Sequence, residues 1–376
     1  MTARDTDPDG TRPDPAAGRV TIVHDYLTQR GGAERVVLEM AAAFPGARVV
    51  TSLYDRDGTY PAFRDLDVGT LAVDRLPGLR RHHRLALPVL APAFSAGRVR
   101  TPVALCSSSG WAHGIRAEGT KIVYCHNPPR WLYQADEYLR DRHLAYRVML
   151  SACGPGLRRW DHRAARSAAR YLVNSELVRR RVADTYGIEA EVLHPPVSLL
   201  ADGPATPLEG VDDGFHLCVS RLLPYKNVDA VVAAFAALPE ERLVVIGGGP
   251  LLERLSASAP ANVRLCGEVD DASLRWAYGA CRALIAASYE DFGLTPVEAA
   301  GFAKPTVALR WGGYLETVVE DRTGQFFDTP DPAHIARAVV RARSWNWSPT
   351  AITAHSGTFS RESFRRRLQE VVGDAP

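Results

Sequence analysis

FHLCVSRLLPYKNVDAVVAAFAALPEERLVVIGGGP, residues 215–250, decides the fold class. Phe215 to Ser220 is a short apolar run suited to a buried parallel strand, and Val228 to Leu238 repeats apolar residues at helical spacing. Arg242 to Ile246 is a second strand, ending in Gly247-Gly248-Gly249-Pro250. A strand, a helix and a strand in so few residues form a crossover unit, which parallel strands require. The alternation continues through Val263 to Cys266 (strand), Ala272 to Gly279 (helix), Ala283 to Ala287 (strand), Pro296 to Phe302 (helix) and Pro305 to Leu309 (strand). It builds a doubly wound α/β layer that binds ligands at the carboxyl ends of its strands.

The same alternation precedes it. Val20 to His24 reads as a buried strand, and Gly31-Gly32 opens a helix over Ala33 to Phe44 with Val36, Val37, Met40 and Ala41 on one face. Arg48 to Leu53, Val103 to Cys106 and Lys121 to Cys125 read as strands. Tyr138 to Arg170 reads as long basic helices interrupted at Gly154-Pro155-Gly156; a strand, Tyr171 to Asn174, and a helix capped by Ser175 follow. The expected domains are a disordered Asp-, Pro- and Gly-rich tail at 1–18, a first Rossmann-like domain at 19–200, a Gly- and Pro-rich linker at 201–213 and a second Rossmann-like domain at 214–350. A basic amphipathic helix, Ser360 to Val372, lies in the last segment, 351–376.

The chain has 376 residues, which at about 150 per domain agrees with two cores. Its 46% hydrophobic and 23% charged residues exclude wholesale disorder. No apolar run nears the ~20 residues that span a bilayer, and the polar start does not read as a signal peptide. The six cysteines form no CxxC pair and read as buried thiols in a reducing cytoplasm, with no zinc site. The net charge of +2 hides an asymmetry. Residues 1–200 hold 28 Lys and Arg against 21 Asp and Glu (+7), whereas 201–376 hold 17 against 22 (−5). A basic first half suggests an anionic partner. Only Lys121, Lys226 and Lys304 are lysines among the 45 basic residues.

Four short stretches carry chemistry. Gly31-Gly32 after a strand places exposed N–H groups and a helix dipole where a phosphate can approach, although such a pair also suits a plain flexible loop. Arg221 and Lys226, five residues apart in a loop turned by Pro224, can converge on one diphosphate. Two basic residues are more often a solvated surface pair, but a lysine kept in so arginine-rich a chain favours the functional reading. In Ser288-Tyr-Glu290-Asp-Phe-Gly-Leu-Thr-Pro296-Val-Glu298, the N–H groups of Phe292, Gly293, Leu294 and Thr295 lie at a helix start. Pro296 stands at about its first position and Glu298 in its first turn. Glu298 can accept from two vicinal hydroxyls, as a ribose offers, or can simply complement the helix dipole; Glu290 can hold a second polyol. His126 ends an apolar strand before Asn127-Pro128-Pro129, where a packed and a catalytic histidine are about equally expected.

E-x7-E after a strand, R-x4-K upstream, a Gly-rich loop near the N-terminus and a C-terminal helix together resemble the family-4 GT-B glycosyltransferases. The likeness runs from about Val20 to Leu368, and VHDYL-x3-GGAER with YCHNPPRWLY is most similar to the bacterial cell-surface polysaccharide mannosyltransferases. The resemblance implies a GT-B fold: two doubly wound domains facing across a cleft, the C-terminal helix crossing back to the first. It implies a retaining, metal-independent hexosyltransferase with no cofactor beyond its nucleotide-sugar co-substrate, GDP-mannose for this branch. Arg221 and Lys226 would then neutralise the donor diphosphate, Glu298 would bind ribose, Glu290 the sugar, and Val269 would lie near the base. Gly31, Gly32 and the backbone of Phe292 to Thr295 would hold phosphate and sugar oxygens, with His126 beside the reacting sugar. The branch more often carries Thr-Pro after that histidine.

The expected acceptor is a glycan or lipid-linked glycan. Arg80-Arg81-His82-His83-Arg84 before an apolar stretch, with Arg158, Arg159, Arg163, Arg166 and Arg170, suits a cytoplasmic protein resting on the anionic inner face of a membrane, or ordinary solvated helices. The alternatives are a UDP-sugar transferase of the same fold acting on a small molecule, and a non-catalytic sugar-nucleotide binder. A nucleic-acid binder is disfavoured by the absence of any recognition-helix pattern. A dinucleotide oxidoreductase is disfavoured because Leu252 stands where G-x-G-x-x-G needs its last glycine.

Overall fold

The computed structural model describes residues 18–76, 78–80, 87–134, 144–197, 199 and 201–375. The tail expected at 1–18 lies outside them apart from Gly18, as do residues 81–86 of the basic and apolar run. Contacts divide the chain into two compact units. One comprises Met1–Leu172, Thr185–Ile188 and Arg365–Pro376; the other comprises Val173–Asp184 and Glu189–Phe364.

The first sheet is built from β1 (Val20–His24), β2 (Arg48–Thr51), β3 (Val68–Thr70), β5 (Val103–Ser108), β7 (Thr120–Cys125), β8 (Arg170–Val173) and β9 (Glu191–Val192). A separate short pair joins β4 (Arg98–Val99) to β6 (Arg116–Ala117). The sheet order is β3-β2-β1-β5-β7-β8-β9, parallel from β3 through β7. β1 and β5 are buried along their whole length, as expected of strands covered on both faces.

The second sheet holds β10 (His216–Val219), β11 (Leu243–Ile246), β12 (Val263–Leu265), β13 (Ala283–Ala286), β14 (Thr306–Leu309) and β15 (Gly324–Phe327). All pairs are parallel, in the order β12-β11-β10-β13-β14-β15. Phe215, Phe235, Val245 and Ile285 are buried in its core together with Ile335 and Val339 of the helix Pro332–Arg343. In both sheets the winding reverses beside the first strand, at β1/β5 and at β10/β13. Neighbouring connections there leave on opposite faces and open a crevice at the strand ends.

Two sequence expectations change. The helix Leu144–Arg166 runs unbroken through Gly154-Pro155-Gly156. A proline removes one intrahelical bond; here the helix is anchored beyond it, by Trp160 Nε1 donating to Ser95 Oγ (2.8 Å) and by buried Asp161. The helix expected from Pro296 begins at Leu294, so Pro296 is its third residue and Glu298 stands in its second turn. Proline suits any early position lacking an N–H partner, so it marked the first turn and not its first residue. β15 and the helix Pro332–Arg343 extend the second unit beyond the elements that the sequence predicts. That helix is capped by Asp331 accepting from the N–H groups of Ala333 and His334.

Among the described residues, no helix is long and apolar enough to cross a membrane. Arg158, Arg166 and Arg170 of the basic segment donate to the backbone carbonyls of Leu132, Tyr186 and Val371.

Candidate active site

In the second unit, the loop after β10 carries Arg221 and Lys226, and the loop after β13 carries Glu290. The two loops are tied at three points. Asn227, in left-handed backbone (φ 54°), donates its side-chain amide to the carbonyl of Ala287 (2.9 Å). Ser288 Oγ donates to the Lys226 carbonyl (3.3 Å), and Lys226 Nζ donates to Glu290 Oε1 in an ion pair. The Lys226 side chain is 8% exposed and that of Glu290 is 29%, so the cation is sunk and the carboxylate faces outward. Arg221 is exposed and donates to the Tyr225 hydroxyl at 3.2 Å. The two basic residues thus sit in unlike settings: one open to solvent, one buried and compensated.

Glycines set the backbone here for steric reasons. Gly247 and Gly249 take positive φ, and a Cβ on Gly247 would lie 2.0 Å from the Ser220 carbonyl oxygen. The Gly-rich turn therefore packs against the Arg221 loop, which accounts for the triple glycine that fails as a dinucleotide fingerprint. Gly293 (φ 86°) caps the helix Leu294–Gly301, and a Cβ on it would meet the Tyr314 ring at 2.5 Å. A Cβ on Gly313 would come within 2.2 Å of the Phe292 backbone, while Gly313 donates its N–H to the Glu290 carbonyl (3.0 Å). Glu290 is thus held from both ends of its residue. Glu298 is buried and accepts from the Tyr278 hydroxyl (2.9 Å). Val269 is partly buried against the same core.

Two further residues pack against this loop and its neighbours. Glu316 accepts from the Glu176 N–H (2.9 Å), at the helix Glu176–Tyr186, and pairs with His194 Nε2 (2.8 Å). Arg181 of the same helix pairs with Asp291 at 2.6 Å, next to Glu290 in the chain.

In the first unit, Gly31 caps the helix Gly32–Ala43, whose first turn carries Glu34. A Cβ on Gly31 would lie 2.5 Å from Glu34 Oε2, so the missing side chain lets the carboxylate fold over the helix start. Glu34 is 1% exposed; its Oε1 accepts from Gln29 (3.0 Å) and stands 3.9 Å from His24 Nε2. His126 follows β7 and is partly buried, with its Nε2 2.8 Å from Ser107 Oγ. Burial, with the neighbouring His24 charge, lowers the His126 pKa to about 3. Beside it, Asp25 accepts from the N–H groups of Ser109, Trp111 and Ala112, caps the turn that follows β5, and is raised by burial against those bonds. A further buried carboxylate, Asp161, accepts from Tyr133 and Tyr186 hydroxyls and pairs with His113 Nε2 (2.9 Å). The structure therefore gathers Lys226 with Glu290 in one unit, and the Gly31 helix start with His24, Ser107 and His126 in the other. The only sequence signal for Ser107 was its place in a Ser-Ser-Ser run at a strand end.

Residues 206–344, which lie within the second unit, match the family model described as Glycosyl transferases group 1. A glycogen synthase of Thermus thermophilus is 33% identical over 165 residues, 42% of this chain and 38% of that protein. The O-antigen chain mannosyltransferase C of Escherichia coli is 27% identical over 170 residues, 43% of this chain and 44% of that protein. The chain thus spans less than half the length of these two curated relatives. The crystal structure of Anabaena Alr3699/HepE in complex with UDP and glucose superposes with a TM-score of 0.68 at 16% identity, covering 95% of this chain and 99% of that one. Two Rossmann-like bodies of this kind make the fold GT-B.

Proposed function

We propose that this chain is a retaining hexosyltransferase that moves mannose from GDP-mannose to a glycan or lipid-linked acceptor in cell-surface polysaccharide synthesis. The observation that carries it is the Lys226–Glu290 pair at the β10/β13 reversal. A sugar diphosphate answers both members of that pair at once: phosphate oxygens take the ammonium and sugar hydroxyls take the carboxylate. Relatives that transfer sugars, and a HepE structure holding UDP and glucose, support a nucleotide-sugar donor.

In the reaction, the bond from the anomeric carbon to the diphosphate oxygen breaks and a bond to the acceptor oxygen forms. The acceptor proton passes to the departing diphosphate. Charge builds on the leaving group, so Arg221 and Lys226 stabilise the transition state more than the bound donor. Glu298 takes the ribose hydroxyls, Glu290 the sugar, and Val269 borders the base. The N–H groups of Phe292 to Thr295 receive phosphate or sugar oxygens. In the first unit, Gly31, Gly32 and His126 are assigned to phosphate and sugar, and its basic surface to an anionic membrane. This arrangement differs from a retaining glycosidase, whose two carboxyls flank the bond about 5–5.5 Å apart as acid and nucleophile.

A UDP-sugar donor is the second reading, favoured by the UDP and glucose in HepE. Thermal shift against GDP, UDP and NAD, followed by transfer from GDP-mannose and UDP-glucose, decides the matter. Stabilisation by GDP with mannosyl transfer is expected. A UDP preference selects the second reading, and stabilisation by NAD alone overturns both.

A further inference from the structure

At the β1/β5 reversal the parallel register sets His24 opposite Ser107, and β7 delivers His126 alongside. His24 Nδ1 lies 3.1 Å from the Ser107 carbonyl oxygen and 3.0 Å from Ser107 Oγ. A carbonyl oxygen only accepts, so Nδ1 carries a hydrogen. Ser107 Oγ receives that same N–H, which leaves its own hydrogen for His126 Nε2, 2.8 Å away. Nε2 therefore accepts, and a neutral imidazole that accepts at Nε2 bears its proton on Nδ1.

The far end of the chain is anchored by Glu34, 3.9 Å from His24 Nε2. Burial lowers the basicity of His24, but the Glu34 carboxylate, with Asp25 and the Ser107 carbonyl, more than offsets this and raises it overall. A cationic His24 beside His126 disfavours a second positive charge there, in accord with the low basicity of His126.

We propose that Ser107 and His24, backed by Glu34, are positioning residues that hold His126 as the neutral Nδ1–H tautomer, making it a hydrogen-bond donor to the sugar and not a base. The tautomer follows from this buried chain alone; its service to the sugar rests on the glycosyltransferase reading. The arrangement follows the logic of histidines whose second nitrogen is fixed by a partner behind the site.

The test uses the full-length protein labelled with 15N-histidine, observed by long-range 1H–15N correlation at pH 7, with His126 identified by the signal lost in His126→Gln. The expected pattern is an unprotonated Nε2 and a protonated Nδ1. Ser107→Ala should move His126 toward the Nε2–H form, and Ser107→Thr should restore the native pattern. Transfer by Ser107→Ala should show kcat reduced about 10–100-fold with KM nearly unchanged, and Ser107→Thr should recover most of it. A proton on Nε2, or on both nitrogens, in the unmutated protein overturns the proposal without any variant needing to fold. So does a pattern indifferent to Ser107→Ala. The expected pattern in a protein that transfers no sugar would uphold the positioning chain and overturn the glycosyltransferase reading.

Discussion

The two units solve one topological problem with different chemistry. Each reverses its strand order beside its first strand and collects side chains at the strand ends there. In the first unit that place holds a buried chain, hydrogen bonds from His24 through Ser107 to His126 with Glu34 3.9 Å behind His24, joined across 83 residues of sequence between His24 and Ser107. In the second it holds an ion pair, Lys226 with Glu290, and an exposed arginine. A hydrogen-bonded chain specifies direction: which atom donates and which accepts. The second place offers cations: Arg221 openly, and Lys226 once a polyanion takes the ammonium in place of Glu290. Under the proposed function, the first place orients and the second neutralises.

The largest expected effect tests the second half of that contrast. Lys226→Ala removes the buried cation assigned to the leaving group and leaves Glu290 without this partner. Transfer, measured as kcat/KM for the nucleotide sugar, should fall about 10²–10³-fold. An unchanged rate would break the contrast at its centre.

Next come the glycines. Gly313→Ala drives a Cβ into the Phe292 backbone, which cannot yield, and should cost about 1–3 kcal/mol in denaturant unfolding. Gly31→Ala meets only the tip of the Glu34 side chain, which can swing aside. It should leave stability nearly intact while releasing Glu34 from His24, visible as a changed His24 15N signal. Equal destabilisation by both would show that the first unit is as rigid as the second.

A smaller effect concerns pH. Burial lowers the basicity of His126 in the first unit and of His216 in the second, there against Glu241. Each therefore stays neutral in the folded protein where the unfolded chain binds a proton. Between pH 6.5 and the lower folded values the unfolded state holds more protons, so stability falls as pH drops. His126 contributes a slope of up to about 1.4 kcal/mol per pH unit. Urea unfolding at about pH 7.5 and about pH 5 should show the loss, and His126→Gln should flatten it. His24 is raised, so its contribution runs the other way: present below the ordinary histidine range and lost as pH rises through its folded value.

The smallest concerns Gly279, exposed near the end of the helix Asp271–Ala280 with nothing near its absent Cβ. Gly279→Ala should stabilise by about 0.5–1 kcal/mol, read as a raised Tm with transfer unaffected. It controls for Gly313→Ala by showing that added methyls are harmful only where backbone crowds.

Legibility in the sequence followed the range of the interactions. Val20–His24 was readable because a buried parallel strand announces itself in five consecutive residues. Ser175 was readable as a helix cap because its partner, the Val178 N–H at 3.2 Å, is three residues away. Arg221, Lys226 and Glu290 were readable as candidates because their loops follow apolar runs. The continuity of the helix through Pro155 was not, since its anchor at Ser95 lies 65 residues upstream of Trp160. Nor were the partners of Glu316, since Glu176 and His194 come from more than a hundred residues earlier.

Local periodicity and turn chemistry, then, determined the α/β class, the two-unit layout and the residue types placed at strand ends, because backbone preferences and amphipathic spacing act within a few residues. Only the tertiary structure decided that Lys226 is buried against Glu290 while Arg221 is exposed, and that Ser107 stands between His24 and His126. Those outcomes depend on which strands become neighbours and in what register, a choice made by the collapse of the whole core and not written in any one segment.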